Sequence, residues 1–92
     1  MNIKSINYLS DWAEVNPLND NIDINIVLED ERRYTFVVAT PNNVFLCMEN
    51  EGKDYFFGEP MLFVKSLTVE NIERAIKAIV DEEDGRWLAI YG

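Results

Sequence analysis

Apolar residues alternate with mostly polar ones in the clearest strand of the chain, over 22–29, where only Val27 breaks the polar face. Four apolar side chains share one face of this segment: Ile22, Ile24, Ile26 and Leu28. This period of two is typical of a strand with one buried face. Asp30-Glu31 predicts a short polar turn, and 33–39, rich in β-forming residues, predicts the returning strand of a hairpin. Both faces of this second strand are largely apolar, so we expect it inside the sheet.

A helical period predicts the firmest element, a helix over 69–82. Its apolar residues fall at i, i+3, i+4 and i+7, namely at Ile72, Ala75, Ile76 and Ile79. Thr68 can cap the first turn with its hydroxyl, and Glu70 complements the positive end of the helix dipole. Gly85 is a suitable residue to end the helix.

A second helix start is indicated by Thr40-Pro41, a capping hydroxyl followed by proline at the first helical position. This helix would end before Gly52. The apolar run over 44–48 also fits a strand, so the pattern leaves both alternatives open for it.

Weaker patterns complete the fold prediction. Residues 4–15 carry Ile6, Leu9, Trp12 and Ala13 at helical spacing, which predicts an amphipathic helix with Ser5 as its cap. Apolar runs over 61–65 and 86–91 predict two further strands. The order α-β-β-α-β-α-β predicts one α+β domain over 1–92, with a mainly antiparallel sheet and helices packed on one face.

Charge narrows the possible functions. The chain has 17 Asp and Glu against 8 Lys and Arg, a net charge of −9, and no histidine. This balance disfavours binding to nucleic acid or to anionic membranes and favours a basic protein partner, or serves solubility alone. The missing histidine removes the usual acid–base group at neutral pH and the commonest metal ligand.

The apolar stretches and the single cysteine indicate the cellular compartment and the role of the thiol. No apolar stretch approaches the roughly 18 residues of a membrane span, and the first residues form no apolar signal segment, so we expect a cytoplasmic protein. The single cysteine, Cys47, lies in an apolar run and is interpreted as a small buried side chain. Without histidine it has no ordinary activating base.

Catalytic chemistry has no motif in this chain. There is no glycine-rich phosphate loop, no Cys/His ligand set and no nucleophile elbow. The sequence therefore predicts no catalytic residues, no cofactor, no metal site and no enzymatic activity. A small hydrolase that uses a pair of carboxylates is a minor alternative, although 92 residues leave little room for a deep cleft.

Two acidic groups are candidate partner-binding sites. The first surrounds the aromatic run Tyr55-Phe56-Phe57 and consists of Glu49, Glu51, Asp54, Tyr55, Phe56 and Glu59. Aromatic anchors within a charged rim are typical of interface hot spots; the alternative is that two of the three aromatics belong to the core. The second group consists of Asp81, Glu82, Glu83 and Asp84. A solvated helix end or a hard-cation site are its alternatives.

The chain has a family resemblance that rests on its small size, its acidity and two segments. The segments are 34–41, Tyr-Thr-Phe-Val-Val-Ala-Thr-Pro, and 60–68, Pro-Met-Leu-Phe-Val-Lys-Ser-Leu-Thr. The chain resembles the small acidic cytosolic immunity proteins of bacterial polymorphic and contact-dependent toxin systems. The resemblance implies inhibition of a basic toxin, often a nuclease, by stoichiometric binding without catalysis. A structural or regulatory subunit that associates with itself through its sheet is the alternative function.

Overall fold

A mixed four-stranded sheet and two α-helices make up the computed structural model of the chain, which describes residues 2–58, 61–86 and 88. The fold is α+β, as predicted. Its elements in chain order are β1 Ile3–Tyr8, β2 Asn21–Leu28, β3 Arg33–Ala39, α1 Pro41–Glu51, β4 Met61–Phe63 and α2 Val69–Asp81. Short 3₁₀ turns at Trp12–Glu14 and Glu82–Gly85 follow β1 and α2.

The strands lie in the order β1-β2-β3-β4. The first two pairs are antiparallel, and β4 returns parallel to β3 after the α1 crossover. The predicted hairpin is confirmed, with Ile24 opposite Phe36, and β3 is an inner strand as predicted.

One face of the sheet forms the core. Alternate residues of β2 and β3, such as Ile24 and Phe36, are fully buried there against α2. The buried residues of α2 are Ile72, Ile76, Ile79 and Val80, which confirms the predicted apolar stripe. Within the described residues, α1 contributes nothing to this core cluster and contains no fully buried residue.

The predicted helix over 4–15 is wrong, because this segment forms β1 and a 3₁₀ turn. The register of β1 against β2 shifts between Ile3 and Ser5, where a bulge adds one residue. The shift places Ile3 and Ile6 on the same face, three positions apart, and Tyr8 follows two positions later. The predicted stripe therefore does not lie on one face of one element. Ile6 packs against the core from β1, whereas Leu9 is exposed after the strand and the rest of the stripe lies in the exposed 3₁₀ turn.

Both remaining helix starts are confirmed. Thr40 and Thr68 cap α1 and α2 by accepting hydrogen bonds from the backbone N–H groups of Asn43 and Asn71. The alternative of a strand over 44–48 is wrong. Strand β4 is shorter than the predicted 61–65, and α2 ends at Asp81. The predicted terminal strand over 86–91 is not borne out at its two described residues, since Arg86 lies in a turn and Leu88 is helical; the rest of it lies outside the described residues.

Candidate partner-binding surface

The end of α1 directs the chain into an exposed loop. Gly52 adopts a left-handed conformation, with φ 66°, and its N–H donates to the Glu49 carbonyl. The N–H of Lys53 donates to the Met48 carbonyl at 2.9 Å. These two bonds form a Schellman turn, which closes the helix and reverses the chain. The turn delivers residues 53–58 to the surface, where all of them are exposed.

The three consecutive aromatics of this loop all face solvent. Tyr55 is 57% exposed, Phe56 40% and Phe57 83%. The alternative that two of them belong to the core is therefore wrong. The Tyr55 and Phe57 rings are nearly parallel, with centroids 6.2 Å apart and planes inclined by 9°. This arrangement presents apolar and π surface without placing it in the interior.

Charge of both signs surrounds these rings. The Nζ of Lys53 lies 5.9 Å from the centre of the Tyr55 ring, a cation–π distance. The predicted acidic residues Glu49, Glu51 and Asp54 are exposed at the end of α1 and in the loop. Glu59 lies outside the described residues. We define the acidic–aromatic surface as Glu49, Glu51, Asp54, Tyr55, Phe56 and Phe57.

Among the described residues, sequence reasoning did not name four exposed aromatics as site residues. They are Phe57, Phe45 on α1, Phe63 on β4 and Trp12 in the first 3₁₀ turn, which are 83%, 55%, 51% and 36% exposed. Phe57 could have been included, since nothing in the sequence separates it from its two aromatic neighbours. Phe45 and Phe63 carry no such signal, because each lies in an apolar run in which some residues must be buried.

The second acidic group is described only in part. Asp81 and Glu82 are exposed where α2 ends, and Glu83 and Asp84 continue the chain in the 3₁₀ turn. The side chains of Glu83 and Asp84 lie outside the described part of the structure. Among the residues described, no three cysteine or carboxylate side chains converge as metal ligands.

Asp81 instead belongs to a groove between β1 and α2. The groove has a volume of about 330 Å³, and it is lined by Asn2, Ile3, Ile6, Glu73, Lys77 and Asp81. Nearby, the hydroxyl of Tyr8 is buried without a hydrogen-bond partner among the described residues. Burial raises the pKa of Tyr8, and the negative charge of Glu73 raises it further.

Cys47 is partly buried in α1 rather than fully buried. Within residues 2–58, 61–86 and 88, neither helix has the length and apolarity needed to cross a membrane. No protein-family model matches the chain, and neither a curated protein nor a solved structure matches it.

Proposed function

We propose that this protein is a non-enzymatic binding module that holds a basic protein partner through its acidic–aromatic surface. The observation that carries the proposal is the exposure of Tyr55, Phe56 and Phe57 together. Exposed aromatics are enriched where partners dock, since their large area is desolvated on binding. Scattered single apolar residues need no such explanation, but three in succession on one loop do.

The chemistry of the surface favours a partner rich in lysine or arginine. A cation already lies over the Tyr55 ring in the free protein, supplied by Lys53. A partner guanidinium could take the same ring face and bond to a neighbouring carboxylate such as Asp54, since arginine stacks on rings and binds carboxylates. The net charge of −9 favours the same class of partner.

Binding would proceed in two physical stages. Long-range attraction between the acidic protein and a basic partner accelerates encounter, to roughly 10⁸–10⁹ M⁻¹s⁻¹ at low salt. Desolvation of the aromatic side chains then slows dissociation. The resemblance to immunity proteins suggests the partner's role: a toxin domain, inhibited stoichiometrically in the cytoplasm.

Affinity capture with a matched variant tests this proposal. The wild-type protein and a Tyr55→Ala/Phe57→Ala variant are immobilised, and bound cytosolic proteins are identified by mass spectrometry. We expect a basic protein that the wild type retains and the variant loses, while Phe63→Ala retains it. Equal capture by wild type and variant, or capture of acidic proteins only, would contradict the proposal.

Self-association is distinguished by a separate measurement. Sedimentation velocity over a range of concentrations should give a monomer at low ionic strength, where copies that carry −9 repel one another. A dimer that persists at low salt would favour the self-associating subunit instead.

A further inference from the structure

Strand β1 is an edge of the sheet, and part of its backbone is turned away from β2. Leu9 N–H donates to the Asp23 carbonyl at 3.0 Å, which makes these two residues a hydrogen-bonded pair. Such pairs alternate along an antiparallel ladder, so Asn7 and Ser5 also direct their backbone groups toward β2. The N–H and C=O groups of Ile6 and Tyr8 therefore point outward, where no described residue pairs with them.

This edge opens onto the groove described above. The side chains of Ile6 and Tyr8 lie on the core face of the sheet, and Ile3 and Ile6 line the groove under α2. An added antiparallel strand that pairs with Ile6 and Tyr8 would place its own paired residues on that same face. Every second side chain of the added strand would thus reach the groove beside Glu73.

Charge decides which kind of strand fits. Among the described residues that line the groove, two are acidic, Glu73 and Asp81, and one is basic, Lys77. The 3₁₀ turn that follows β1 is flanked by exposed Asp11 and carries exposed Glu14. Residues 2–31 contain seven acidic residues and one basic residue, Lys4 on β1, whose Nζ lies 2.6 Å from a carboxylate oxygen of Glu31. A second copy of β1 would bring this acidic region against itself, so a basic segment is the better match.

We propose that β1 accepts an extended, basic segment of a partner protein as an additional antiparallel strand, bonded to the outward N–H and C=O groups of Ile6 and Tyr8. Backbone bonds would supply affinity, and alternate side chains in the groove would supply specificity. This edge site does not depend on the acidic–aromatic surface, and it can exist whether or not that surface binds a partner.

Amide exchange measured by NMR tests the edge site with a defined probe. The probe is a capped peptide of alternating lysine and valine, about six residues long, the usual length of a strand. At a peptide concentration of about ten times its Kd, hydrogen exchange of the Ile6 and Tyr8 amides should slow about tenfold. The exchange rate of the Asn7 amide, which is already bonded to β2, should change little. No binding, or binding without this protection, would overturn the proposal.

A chemically matched peptide separates backbone pairing from simple charge attraction. The same peptide with every backbone amide methylated keeps all its charges, but it cannot donate a backbone hydrogen bond, and its N-methyl groups prevent the close approach of two paired strands. We expect it to lose the protection of Ile6 and Tyr8. Equal protection of the Ile6 and Tyr8 amides by both peptides would overturn the proposal. Because only the peptide is altered, a folding defect of the protein cannot account for the result.

Substitution of Ile6 provides a second test. Ile6→Pro removes one outward N–H, and proline is tolerated on strand edges whose N–H faces away from the ladder. Ile6→Ala is the control, since it shortens the side chain but keeps the N–H. The proline variant should bind the peptide about fivefold more weakly than the alanine variant, as expected for one lost hydrogen bond. Equal affinities of the two variants would overturn the proposal.

A variant in the loop separates this site from the proposed function. Tyr55→Ala/Phe57→Ala should bind the peptide as the wild type does, with the same protection of Ile6 and Tyr8. If this variant loses the peptide, the probe binds the acidic–aromatic surface, and the edge site is wrong.

Discussion

The rings of Tyr55 and Phe57 lie nearly parallel on the surface, with their centroids 6.2 Å apart, and both side chains are mostly exposed. The pair contacts solvent rather than the core, so its removal should affect binding and leave folding almost unchanged. Measurements of stability and of binding on variants of these two residues therefore distinguish a role in binding from a role in folding.

We first expect Tyr55→Ala and Phe57→Ala each to lower the free energy of unfolding by less than about 1 kcal/mol. Substitutions at exposed positions, and the loss of a single aromatic pair, have effects of this size. Urea denaturation measures this directly. A loss of about 3 kcal/mol or more, as buried aromatics give, would mean that these rings belong to the core.

Ile76→Ala should lower the free energy of unfolding by about 2–5 kcal/mol. Ile76 is fully buried in the stripe of α2 that packs on the sheet, so truncation leaves a cavity. Thermal or urea melts of this variant are compared with Lys77→Ala, which changes an exposed position on the same helix. Similar shifts for the two variants would argue against the packing of α2.

Neutralising Glu49, Glu51 and Asp54 to amides should mainly slow association with a captured basic partner. Exposed rim charges act on encounter, and salt screens them beyond about 8 Å at physiological ionic strength. Surface plasmon resonance at several salt concentrations measures the on-rate. Asp81→Asn/Glu82→Gln is the control for the other acidic group. An on-rate that neither variant changes would mean that these charges serve solubility.

Tyr8→Phe should raise the free energy of unfolding by roughly 1 kcal/mol near neutral pH, because it removes a buried hydroxyl that has no partner among the described residues. A lower stability for the phenylalanine variant would mean that the hydroxyl has a partner.

The free energy of unfolding should depend on pH differently in the wild type and in Tyr8→Phe. The folded protein raises the pKa of Tyr8 above 10.0, so the folded state holds this proton more tightly than the unfolded state does. The resulting stability is fully present below the unfolded pKa and is lost as the pH rises through the folded pKa. The wild type should therefore lose stability faster than Tyr8→Phe above about pH 10. The free energy of unfolding is measured by urea denaturation at several pH values. If it falls equally in the two proteins above about pH 10, the pKa of Tyr8 is not raised by folding.

Gly52→Ala should lower the free energy of unfolding by about 1–2 kcal/mol, since alanine must adopt a left-handed conformation there although open space surrounds the position. Gly58→Ala is the matched control: its added carbon would meet the Phe56 ring at 3.7 Å, an ordinary contact. Equal effects of the two substitutions in urea denaturation would show that the turn after α1 does not need glycine.

The acidic–aromatic surface was only partly readable from the sequence. The run of three aromatics among carboxylates pointed to the correct loop, but residue type does not tell whether an aromatic is buried. The Schellman turn at Gly52 decided that question, because it turns the chain outward after α1. Phe45 and Phe63 are exposed for reasons that lie in the packing of their elements, which no local pattern expresses.

The sequence by itself determined the elements whose signals are local. The alternation over 22–29 specifies a half-buried strand, and the caps at Thr40 and Thr68 specify two helix starts, because each depends on neighbouring residues only. Only the tertiary structure decided that 3–8 is a strand and not the start of a helix, since β1 is held by its pairing with β2, a segment far along the chain. It also decided which strand lies at the edge of the described sheet and which of the described aromatics face solvent, because both depend on contacts between residues far apart in the chain.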